Sequence, residues 1–178
     1  LVSTRNKATP SAAEFGEGQC RSCGVKNDSS RRFCRGCGDS LEVPCLSCEK
    51  PMPVWETFCG NCGANHLSLV ESKRHELEEL KTRAESQLVD MHFDSALESA
   101  EQIATETHPD LSDLSEWATQ FQGSVETERK QQTELAEQHV TDARKHLAAF
   151  DYTAAIHSLD SIPASLLSGE AMHLRLTT

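Results

Sequence analysis

The sequence predicts two kinds of fold in one chain: small metal-held units near the N-terminus, then an all-α region of helical hairpins. Three observations lead there. All 8 cysteines fall between Cys20 and Cys62, in four Cys-x-x-Cys pairs with none left over. From Val70 onward the apolar residues recur at helical rather than strand spacing. Only 37% of the 178 residues are hydrophobic and 5% aromatic, low for one large compact core.

The pairs are Cys20/Cys23, Cys34/Cys37, Cys45/Cys48 and Cys59/Cys62. Ten residues separate Cys23 from Cys34, and ten separate Cys48 from Cys59. A shift of 25 maps every cysteine of the first set onto the second, with Phe33 onto Phe58 and Gly38 onto Gly63. The stretch is a tandem repeat of one four-cysteine unit.

A Cys-x-x-Cys turn holds two thiolates on one side of a tight loop, at a separation that suits one tetrahedral ion. Two such turns complete a four-thiolate shell. Glycine follows the second cysteine at Gly24, Gly38 and Gly63, where it permits positive φ and lets amides turn toward sulfur. Glu49 stands at the fourth such position, and the expectation is a distorted but surviving knuckle. Each unit offers few large apolar side chains: Val25 and Phe33 in one, Val54, Trp55 and Phe58 in the other. Domains below roughly 40 residues seldom hold together without a metal or disulfides. Zinc binding worth on the order of 10–16 kcal/mol supplies what such a core lacks.

The expected cofactors are therefore two structural zinc ions, one on Cys20, Cys23, Cys34 and Cys37 and one on Cys45, Cys48, Cys59 and Cys62. Four sulfurs leave no open position for water or substrate. A disulfide framework needs an oxidising compartment, and regular pairs at metal-ligand spacing are not its usual pattern. Paired Cys-x-x-Cys-Gly knuckles also hold iron in rubredoxin-like proteins, and sulfur ligands alone do not separate iron from zinc. Thioredoxin-type catalysis needs a βαβ context that the pattern lacks.

The stretch Cys20-Arg-Ser-Cys23-Gly24, then Arg32-Phe33-Cys34-Arg35-Gly36-Cys37-Gly38, resembles the first half of a double zinc ribbon. Pro44-Cys45-Leu-Ser-Cys48, then Thr57-Phe58-Cys59-Gly60-Asn61-Cys62-Gly63-Ala64, resembles the second half. The resemblance covers residues 18–66. It implies small metal-bound zinc ribbons, followed here by all-α helical hairpin repeats, and an interaction or spacer role rather than an activity.

Charge divides unevenly. Residues 1–65 carry 8 Lys and Arg against 7 Asp and Glu, whereas 66–178 carry 9 against 21. With four thiolates a zinc site carries −2, so the ribbon segment becomes net negative as well. The acidic half argues against nucleic-acid or anionic-membrane binding there. No run of 18 apolar residues is present, so no membrane span is expected. The chain opens on Leu1 and stops after Leu174-Arg175-Leu176 in mid-pattern, and the expectation is a segment of a longer polypeptide.

Residues 1–17 show no periodicity and read as a disordered leader or linker. The ribbons follow over 18–66, and a linker through Asn65–Ser68 leads to the acidic helical region 67–178. Val70, Leu77, Ala84 and Met91 recur every seven residues, with Leu80 and Leu88 at offset positions, and predict a helix over 69–91. Phe93, Ala96, Leu97, Ala100 and Ile103 predict a second helix over 93–105. His108-Pro109-Asp110 breaks the pattern, because proline lacks a backbone donor and disfavours helix before it. Leu111, Leu114, Trp117, Ala118 and Phe121 mark a third helix, which either ends near Gly123 or crosses solvent through the polar stretch 126–133. A shift of 59 maps Ala84, Leu88, Phe93, Ala96, Leu97 and Ile103 onto Ala143, Leu147, Tyr152, Ala155, Ile156 and Ile162. The pattern reads as two helical-hairpin units, about 70–123 and 129–178, similar in logic to tetratricopeptide-type repeats.

No phosphate loop or nucleophile elbow is present, and no His-x-x-x-His pair would set two ligands on one helix face. His66 lies close to the last ribbon, but four cysteines already fill each shell. The basic cluster Arg31, Arg32 and Arg35 around Phe33, with Arg21 and Lys26, is the one candidate nucleic-acid contact. Its alternative role is to offset the charge of the zinc–thiolate site. The reading is a non-enzymatic, cytoplasmic, zinc-binding scaffold with a protein partner. A nucleic-acid-binding ribbon and the regulatory region of a multidomain enzyme stay as alternatives.

Overall fold

The structure is a computed structural model and describes residues 16–177. The expected leader lies almost wholly outside the described residues. An N-terminal region of tight turns and two three-residue strands, β1 (Glu42–Pro44) and β2 (Pro51–Pro53), precedes five helices. These are α1 (His66–Val89), α2 (Phe93–Ala104), α3 (Ser112–Ala148), α4 (Tyr152–Asp160) and α5 (Gly169–Thr177). Two compact units result. Among the described residues, one holds 16–79 together with Thr105–Ser115; the other holds Leu80–Ala104 and 116–177.

In the first unit the cores are small. Cys20, Cys34 and Leu41 are buried together in one ribbon; Val43, Cys45, Met52, Val54 and Cys59 are buried in the other. Trp55, half-buried, packs against both cores. The Val54 amide donates to the Leu41 carbonyl at 3.0 Å, which ties the two ribbons through backbone as well. The expected linker at 65–68 is absent, because Asn65 has two tasks. Its backbone closes the last ribbon turn against Phe58, and its side chain caps α1 by accepting from the Ser68 amide at 3.2 Å. The helix therefore starts at His66.

The second unit contains the α1–α2 and α3–α4 turns. Met91 and Phe150 both take positive φ, 58° and 60°. The Met91 amide donates to the Leu88 carbonyl and the His92 amide to Gln87; the Phe150 amide donates to Leu147 and the Asp151 amide to His146. This is the Schellman arrangement twice, 59 residues apart, with a bulky side chain where glycine is commoner. The expected second helix is found as α2, with Phe93, Ala96, Ala100 and Ile103 buried. Trp117 and Phe121 stack with ring centroids 4.8 Å apart, and the Lys81 ammonium lies 4.8 Å over the Trp117 ring.

The third helix does not end near Gly123. It continues through the polar stretch as one 37-residue helix, so the expected division at 123–129 falls inside α3. Val125 explains this: it is fully buried with Phe93 and Ala96 and anchors the helix past the glycine. Further along, Ala136 and Ala143 are buried with Leu159, Ile162 and Ala171. Among the described residues no helix is long and apolar enough to cross a membrane.

Candidate metal centres

Each knuckle is built the same way. Gly24, Gly38, Glu49 and Gly63 donate their amides to the carbonyls of Cys20, Cys34, Cys45 and Cys59 at 2.8–2.9 Å. The same four cysteines donate their own amides to Val25, Asp39, Lys50 and Ala64. Just outside each turn, the residue before the first cysteine pairs with the sixth residue after it: Gln19 with Lys26, Phe33 with Ser40, Pro44 with Pro51, Phe58 with Asn65. Glu49 adopts φ 60°, close to the 73–82° of its glycine counterparts, and the third knuckle keeps the common hydrogen bonds. The distortion expected there does not occur. The cost appears instead as local backbone strain on a residue with a Cβ.

The knuckles bring the eight cysteines into two groups of four, and no disulfide joins them. Sulfur–sulfur separations are 3.6 Å for Cys20–Cys37, 3.5 Å for Cys23–Cys34, and 3.8 Å for both Cys45–Cys62 and Cys48–Cys59. A tetrahedral ion with bonds of about 2.3 Å to sulfur needs edges of about 3.8 Å. The sulfurs thus stand close to where one zinc would require them, and the two clusters fit two structural zinc ions. Donors turned toward sulfur complete each shell. The Gly36 amide lies 3.3 Å from Cys34 Sγ and the Ser47 amide 3.4 Å from Cys45 Sγ. The side-chain amides of Asn27 and Asn61 each lie 3.6 Å from a sulfur, Cys34 and Cys48 respectively. Asn27 also donates to Val25 O and accepts from the Arg35 amide, so it fastens the first knuckle to the second.

These contacts divide the thiols. Burial pushes Cys34 up, but the amides of Gly36 and Cys37 and the Asn27 side chain outweigh it and bring the thiol to about 6. The Lys50 amide leads a similar set that brings Cys48 to about 6. Cys37 is lowered by the Asp39 amide, yet burial and the neighbouring cysteines push it up to about 12. Cys62 reaches about 11 in the same way, against the Ala64 amide. Four negative sulfurs cannot gather without a cation, and zinc supplies that cation.

The other candidate residues behave differently. Phe33 is 60% exposed, but Phe58, at the matching place in the second ribbon, is 59% exposed and has no arginine near it in sequence. Exposure is thus a property of the knuckle position. Arg31 and Arg35 are exposed, and Arg32 pairs with Glu42 at 2.9 Å. Arg21 leaves the cluster altogether. Its guanidinium meets Asp110 at 2.7 Å and also donates to the Val54 carbonyl.

Asp110 is the centre of a buried network that the sequence did not reveal. Its second oxygen lies 2.9 Å from His66 Nε2, and its amide donates to His108 Nδ1 at 3.2 Å. His108 Nε2 lies 2.9 Å from the Pro44 carbonyl. His66, His108 and Asp110 thus sit together, but they do not make a third metal centre. Both His108 nitrogens and both Asp110 oxygens already have partners, and one of those partners is a cation, Arg21. Burial alone would raise Asp110; the His66 hydrogen bond and Arg21 outweigh it and hold the carboxyl at about 2. Partners 44 and 89 residues from Asp110 in sequence, with no periodicity linking them, leave no signal for such a site.

Residues 20–63 match the family model described as double zinc ribbon. No curated protein and no solved structure matches the chain.

Proposed function

We propose that this chain is a non-enzymatic zinc-held scaffold segment that presents its helical hairpins to a protein partner. The observation that carries the reading is the closed character of both metal shells. Four sulfurs at tetrahedral spacing leave no coordination position for a substrate, so the metal acts on the fold. The α1–α2 and α3–α4 turns, alike in conformation and hydrogen bonding, support a duplicated helical hairpin of tetratricopeptide-like logic. The α3–α4 turn carries two exposed apolar side chains, Phe150 at 78% and Tyr152 at 50%, and α5 carries Met172 at 55%. Exposed residues of this size, in a half of the chain that carries 21 Asp and Glu against 9 Lys and Arg, suit a protein surface better than nucleic acid. A reducing, cytoplasmic setting suits eight free thiols.

The test is a titration with single-stranded nucleic acid at two salt concentrations, with zinc counted on the same sample. The scaffold reading expects two zinc ions per chain and no binding at low salt. Salt-sensitive binding that Arg31→Ala and Arg35→Ala abolish would instead make the first ribbon a nucleic-acid reader.

A further inference from the structure

We infer that zinc in the ribbons and the docking of the 105–115 segment, which joins α2 to α3, are one coupled equilibrium, with Arg21 and Asp110 as the coupling pair. The inference stands on the two zinc sites and not on the scaffold reading.

Arg21 lies inside a metal knuckle, between the ligands Cys20 and Cys23. The turn that aims its guanidinium is closed by two backbone bonds, Gly24 N to Cys20 O at 2.9 Å and Cys20 N to Val25 O at 3.1 Å. Beyond its cysteines that ribbon buries only Leu41 completely among its apolar side chains, so the turn, closed by a few hydrogen bonds, depends on the metal to stay formed. From the turn, the guanidinium reaches Asp110 and Val54 O with its side chain 14% exposed. The second ribbon grips the same segment. The Pro44 carbonyl, one residue before the ligand Cys45, lies against His108 Nε2. The Thr57 carbonyl, two before the ligand Cys59, accepts the backbone amide of His66, whose ring holds Asp110. Both zinc sites therefore position groups that bind 108–110.

When the knuckles lose their metal, Arg21 and Pro44 no longer converge. Asp110 is then a mostly buried carboxylate without its cation, and opening the segment to water relieves that cost. By linkage, the docked segment must favour zinc retention by the same factor that zinc favours docking.

Hydrogen exchange on the zinc-loaded 178-residue chain, with and without EDTA, tests this. The amides of Asp110 and Leu111, which donate to His108, are the reporters. EDTA is expected to speed their exchange roughly 5- to 150-fold, the usual span of such coupling, while amides of α3 beyond Glu116 stay protected. In Asp110→Asn these amides should exchange fast even with zinc bound, EDTA should add little, and zinc should pass faster to a competing chelator. Arg74→Ala is the control. Arg74 holds the same segment through Asp113 and the Asp110 carbonyl without touching a knuckle. That variant should loosen the segment yet keep the response to EDTA. Protection of Asp110 and Leu111 that survives removal of both zinc ions overturns the coupling. So does an Asp110→Asn protein whose EDTA response matches wild type.

Discussion

Glu49 holds the left-handed backbone that glycine holds in the other three knuckles. Its Cβ makes that conformation costly by about 1 kcal/mol. Glu49→Gly is expected to stabilise the zinc-loaded second ribbon by about that amount, read as slower zinc transfer to a chelator, chiefly from the second site. Among the ligands, Cys37 and Cys62 stay protonated at neutral pH until metal arrives, because their thiols are held at about 12 and about 11. Zinc uptake at pH 7 should therefore release protons, and affinity should rise with pH. Calorimetry in buffers of different ionisation enthalpy counts those protons, and a count of zero would contradict the arrangement. Asp110, held at about 2 against a usual value near 3.8, stabilises the fold above the usual value. That contribution fades as pH falls from about 4 toward 2. Asp110→Asn should thus cost roughly 2 kcal/mol at pH 7, measured by urea unfolding in saturating zinc.

At the scale of elements, the long helix α3 carries a weak point at Gly123. A Cβ built there would meet nothing within 4 Å, so the position has room for alanine. Gly123→Ala should stabilise the protein by about 0.5–1 kcal/mol and raise Tm by a few degrees, because an interior glycine costs that much helix propensity. The continuity of α3 was hard to read from sequence because its polar stretch, 126–133, has no apolar face of its own. Two isolated residues, Val125 and Ala136, bury on either side and carry it. The knuckles were legible for the opposite reason. Metal geometry acts over four residues, so Cys-x-x-Cys spacing determines the turn locally, even at Glu49, where the missing glycine suggested trouble. Helix α2 was equally legible, since every buried apolar side chain follows the 3.6-residue period. The start of α1 was misplaced by three residues because Asn65 looked like linker chemistry and serves as both ribbon closure and helix cap.

At the scale of the molecule, the metal-dependent and metal-independent parts should separate on chelation. Cys34→Ser removes one of four ligands from the first site. It is expected to leave one zinc per chain at saturation, with circular dichroism at 222 nm nearly unchanged because most helix lies in the second unit. A variant that still holds two zinc ions would count against the four-sulfur assignment. The two metals should also not load independently, since Trp55 packs on both ribbon cores. Each ion that binds completes half of the surface against which the other ribbon folds. The population of loading states should then be skewed. At half-saturating zinc, native mass spectrometry should find empty and doubly loaded chains in excess over the singly loaded form, and Trp55→Ala should restore the binomial distribution. A chain built this way answers a falling zinc supply more like a threshold than like a graded scale.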